Sequence, residues 1–78
     1  MAHTPEACAR RILEVFRDFN VRADEHLRIG SFTNYFVATP WRMEDFNTGV
    51  DEAMRLGWTV DGSSEALFLT ALGESEIT

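Results

Sequence analysis

The sequence predicts a mostly helical α+β fold made of three helices, a two-stranded β-hairpin and a short C-terminal helix. Three observations lead there. Two apolar series recur at helical spacing, each close to a Thr-Pro pair that can start a helix. A turn-rich segment, Asp61-Gly62-Ser63-Ser64, separates two short apolar runs. The 78 residues are 45% hydrophobic with nine aromatic side chains, enough for one small core and one domain spanning residues 1–78.

The first helix is expected over about residues 5–19. Thr4 supplies a capping hydroxyl and Pro5 a preset φ at the first helical position. Cys8, Ile12, Val15, Phe16 and Phe19 follow at i, i+4, i+7, i+8 and i+11, the pattern of one buried face. Residues 20–25 are mostly polar and read as a connection. A second helix is expected over about 28–37, from the spacing of Ile29, Phe32 and Phe36, although its β-branched and aromatic content would also suit a strand and Gly30 weakens it. Thr39-Pro40 repeats the Thr-Pro start, so the third helix is expected over about 40–56, with Met43, Phe46, Val50, Ala53 and Met54 inward and Gly57 as a left-handed cap. Its outward residues are Arg42, Glu44, Asp45, Asn47, Thr48, Asp51, Glu52 and Arg55. The hairpin covers about 58–69, with Trp58, Val60, Leu67 and Leu69 buried against the helices, because two strands alone are marginal. Thr70 can cap a final helix over about 71–77.

Beyond the fold, several function classes are disfavoured. The single Cys allows neither an internal disulfide nor a CxxC site, and Cys8 falls on the apolar face of the first helix, as a buried thiol would. His3, expected in a frayed end, and His26 have no partner at ligand spacing, so no metal or cofactor is expected. No serine sits in a nucleophile elbow or phosphate loop, no catalytic residues emerge, and the chain is not expected to be an enzyme. The absence of a signal-like start or a long apolar run points to a cytoplasmic location and no membrane partner.

The segments Phe46 and Val50, Leu56-Gly57-Trp58, the short hairpin and Leu67-Phe68-Leu69-Thr70-Ala71-Leu72-Gly73 together resemble the winged-helix branch of the helix-turn-helix superfamily. The last stretch is similar to the "strand, Leu-Thr-x-x-Gly" ending found after the wing in several bacterial regulator families. The likeness spans roughly Cys8 to Ile77 and rests on the order and spacing of motifs that are individually common. It implies that the third helix is the counterpart of the recognition helix and Asp61 to Glu65 that of the wing tip. In DNA-binding members the helix enters the major groove and the wing touches backbone or minor groove.

Charge argues against carrying that function over. The net charge is −6, and all seven bases are Arg. Residues 1–30 balance five Arg against five acids, whereas residues 31–78 hold only Arg42 and Arg55 against eight. The whole deficit therefore lies on the half that would face a duplex, where carboxylates oppose counterion release. The expectation is a non-enzymatic protein-interaction module, meeting a protein partner or a second copy through Tyr35, Trp41, Glu44, Asp45, Asp51 and Glu52. Tyr and Trp are favoured interface anchors. The alternative is a DNA-binding regulator that reads bases with Arg42 and Asn47, with Arg55 beside them.

Overall fold

A computed structural model describes residues 3–38, 40–63 and 66–77 of the chain, without the side chains of residues 62 and 63. The described residues form four helices and a three-stranded antiparallel sheet, an α+β arrangement.

Helix α1 (Pro5–Asp18) starts as its sequence requires. The Ala7 N–H donates to Thr4 Oγ1 (3.1 Å), and Pro5 occupies the first turn, where a missing N–H costs nothing. Cys8, Ala9, Ile12, Leu13, Val15 and Phe16 are buried. Phe19, expected to extend this face, instead caps the helix and is exposed, because the chain turns away at Asn20 in the left-handed region (φ 58°).

Residues 26–28, expected at the junction of a connection and a helix, form strand β1 (His26–Arg28), and helix α2 (Ile29–Phe36) follows without a gap. The sheet thus has three strands rather than the expected two. β1 pairs antiparallel with β3 (Ala66–Leu69), His26 opposite Phe68 and Arg28 opposite Ala66. The Asp24 N–H donates to Leu69 O (2.8 Å) and the Leu69 N–H to Glu25 O (3.0 Å), extending the pairing. Asp24 (φ 69°) supplies the second left-handed residue of the bend.

Helix α3 (Met43–Arg55) begins three residues later than expected. Pro40 lies in a turn closed by the Trp41 N–H on Ala38 O (2.6 Å), and Thr39 lies outside the described residues. The start is fixed instead by Asp45, whose carboxylate accepts the Arg42 N–H (2.9 Å), half of a capping box. Met43 is consequently an exposed first-turn residue (50%) rather than an inward one. The helix ends as expected. Gly57 (φ 79°) allows the Trp58 N–H to reach Ala53 O (2.9 Å) and the Gly57 N–H to reach Met54 O (3.1 Å), the paired bonds of a Schellman cap.

α1 packs closely on α3 at Gly49, where a Cβ would lie 2.6 Å from Cys8 O. Around that crossing sit the rings of Phe16, Phe32, Phe36 and Phe46, with neighbouring centroids 5.0 to 5.6 Å apart at 59–80°, the tilted geometry aromatic quadrupoles favour. Trp58, Leu67 and Leu69 close the core from the sheet. Strand β2 (Thr59–Ser63) pairs with β3 through a register irregularity between Asp61 and Ser63. The pleat turns Thr59 inward, so Val60 faces out (51% exposed) and is not the core residue expected. Asp61, Gly62 and Ser63, expected in the turn, instead continue β2, and Ser64 of that turn and Glu65 of the expected wing tip lie outside the described residues.

Helix α4 (Ala71–Ile77) is capped by Thr70, whose Oγ1 accepts the Gly73 N–H (3.0 Å) and lies within hydrogen-bond reach of Gly57 O and Trp58 O. A Cβ at Gly73 would lie 2.3 Å from Trp58 O, which explains a glycine at the end of the Leu-Thr-x-x-Gly segment. No helix of the described residues is long and apolar enough to cross a membrane.

Candidate interaction surface

One face of α3 is left to solvent. Glu44, Asn47, Thr48, Asp51 and Arg55 are exposed at i, i+3, i+4, i+7 and i+11, a single stripe opposite buried Phe46, Gly49 and Ala53. Two acids assigned to this face have other duties. Asp45 is half-buried, holding the start of the helix, and its Oδ1 lies 3.9 Å from the buried Cys8 Sγ. Burial first, and this carboxylate second, push the Cys8 thiol above its ordinary pKa. Glu52 is half-buried and grips Arg55 with both oxygens (Nε to Oε1, 2.8 Å). The hydrogen bond from Arg55 holds the Glu52 carboxyl below the usual carboxylate range. Arg55 is thus paired within its own helix. Glu44 and Asp51 carry the charge of the stripe, with Arg42 exposed at its N-terminal end.

Beside the start of α3 runs a row of aromatic side chains organised by a residue the sequence had not marked. Arg11 reaches from α1 with only 12% of its side chain exposed. Its Nη2 donates to the carbonyls of Tyr35 (3.0 Å) and Phe36 (3.3 Å), closing the C-terminal end of α2, and its Nη1 pairs with Glu14 (3.3 Å). The guanidinium carbon lies 5.5 Å from the Tyr35 ring, 5.6 Å from Phe36 and 5.8 Å from Trp41, all within cation–π range. Tyr35 and Trp41 are therefore brought to the same cation.

The row continues at both ends. Phe19 meets Tyr35 edge-on at 5.2 Å. His3, rather than fraying, stacks on Trp41 at 3.9 Å with its Nε2 3.4 Å from the Pro40 carbonyl oxygen. Tyr35 stays 41% exposed, and its hydroxyl donates to Asp18 Oδ2 (2.5 Å). This bond holds the Asp18 carboxyl below its ordinary pKa and raises the Tyr35 hydroxyl above its own. Trp41 is half-buried. Exposed Phe19, Val37 and Met43 enlarge the apolar content of this surface.

From the sequence Arg11 reads, with Arg10 and Arg17, as part of a charge-balanced solvated surface, because a cation beside an apolar helical face carries no other signal. Its position three residues after Cys8 and four before Val15 marks the border of that face. Phe19 and Met43 read as core because each continues an apolar series to the edge of its helix, Phe19 at the C-cap of α1 and Met43 at the first residue of α3.

Grooves of about 180 and 200 Å³ between α1 and α4 share Arg17 and Ile77, and Arg10 on the rim of one is paired with Glu6 and Glu76. Among the described residues no group of three or more His, Cys, Asp or Glu could hold a metal ion. His26 lies on the outer face of the sheet, its ring tilted 38° to that of Phe68 with centroids 5.3 Å apart. Compared with protein-family models, with curated proteins and with solved structures, the chain matches none of them.

Proposed function

We propose that the chain is a winged-helix-like protein-interaction module without enzymatic activity, presenting the α3 face and the Tyr35–Trp41 row to a protein partner or a second copy. The winged-helix reading is supported by the order helix, strand, two helices and two strands, and by β1 lying beside β3 in the strand order β1-β3-β2. The observation that carries the functional reading is the charge of the α3 stripe. Glu44 and Asp51 face outward and Arg55 is held by Glu52, so among the described residues Arg42 is the one base of this helix without a carboxylate partner. Phosphate binding draws its affinity from several cations releasing counterions together, and one is too few. Asp61, exposed on β2, adds a further negative charge toward the wing. Partially exposed aromatic rings held rigid by Arg11 are suited to anchor an interface, because little side-chain entropy is lost when they are covered.

DNA binding is the competing reading, favoured by the exposure of Arg42 and Asn47, side chains able to contact guanine and adenine edges. Fluorescence anisotropy with labelled duplex DNA, measured from low to moderate salt, separates the two. The interaction module gives no salt-sensitive binding, and Arg42→Ala changes nothing. Binding that weakens with salt and loses sequence preference in Arg42→Ala overturns it. Light scattering at about 100 µM tests the second-copy form: a doubled mass that reverts to monomer in Met43→Ser supports it, and a strict monomer removes it.

A further inference from the structure

We draw no further inference here: the strongest candidate, the exposed apolar patch of Phe19, Tyr35, Val37 and Met43 beside the acidic face of α3, belongs to the surface already described, and nothing in the structure shows what covers it.

Discussion

Replacing Gly49 by Ala sets two effects of opposite sign against each other. In an unobstructed helix the change stabilises by about 0.5–1 kcal/mol, because glycine loses more backbone entropy on folding. At Gly49 the added Cβ would lie 2.6 Å from Cys8 O, 2.8 Å from Cys8 C and 3.0 Å from Ile12 Cγ1. The two nearest atoms belong to the backbone of α1, so no rotamer change relieves them. Restoring ordinary contact requires α1 and α3 to part by roughly 0.8 Å, in a core whose packing tolerates little displacement. Overpacking of this kind costs about 1–3 kcal/mol. At the middle of both ranges the steric term wins, and Gly49→Ala should destabilise by about 1 kcal/mol net, lowering Tm by about 4–8 °C for a domain of this size.

Gly30 provides the internal control. It lies in α2, and a Cβ there meets nothing within 4 Å. Gly30→Ala should therefore stabilise, by about 0.5 kcal/mol given its place in the first helical turn. Urea denaturation followed by tryptophan fluorescence measures both. If Gly49→Ala matches or exceeds the wild type in midpoint with an unchanged m-value, the close α1–α3 crossing is wrong.

Four further outcomes follow from the surface and the core. Tyr35 is the only tyrosine, so tyrosinate absorbance reports it alone; its midpoint should lie above the ordinary value of about 10 and return toward it in Asp18→Asn. The same bond makes stability pH-dependent. The depressed Asp18 carboxyl contributes stability above its unfolded pKa of about 4 and loses it as pH falls through the lower folded value, whereas the raised Tyr35 hydroxyl contributes below about 10 and loses it as pH climbs through the higher one. Tyr35→Phe should flatten both limbs of a denaturation series, and an unaltered acid limb would count against the bond. Cys8, buried and with a raised pKa, should react with a thiol reagent at neutral pH only as fast as the protein unfolds; immediate labelling of the native protein contradicts its placement. Arg11→Met keeps the apolar stem but removes the bonds to Tyr35 and Phe36, and should cost about 1–3 kcal/mol in denaturation, whereas no loss would show the guanidinium to be a bystander.

Much of the architecture was legible because its signals are local. Thr4-Pro5 starts α1, Gly57 ends α3 and Thr70 caps α4, each through a bond within a few residues in the chain. Local signals also compete. Thr39-Pro40 looks like a helix start, yet the Asp45 carboxylate on the Arg42 N–H fixes the helix further on. Val60 reads as core from its type, although the pleat allows only alternate residues inward and Thr59 takes that side. β1 offered almost no signal, because three residues with one apolar side chain become a strand only when β3, some forty positions later, supplies their hydrogen-bond partners.

The surface divides in the same way. That the negative charge sits in residues 31–78, and that Glu44, Asn47, Asp51 and Arg55 share one face of a helix, follows from the order of the residues alone, since charge is additive and helical period is fixed. Which of those charges remain available, and which aromatic rings stand together, depends on the contacts made once the chain has folded. Glu52 holds Arg55, Asp45 caps its own helix, and Arg11 of α1 gathers Tyr35 and Trp41 from α2 and the turn after it. The first two are choices among local partners within one helical turn, whereas Arg11 depends on the packing of α1 against α2, a relation that no spacing along the chain encodes.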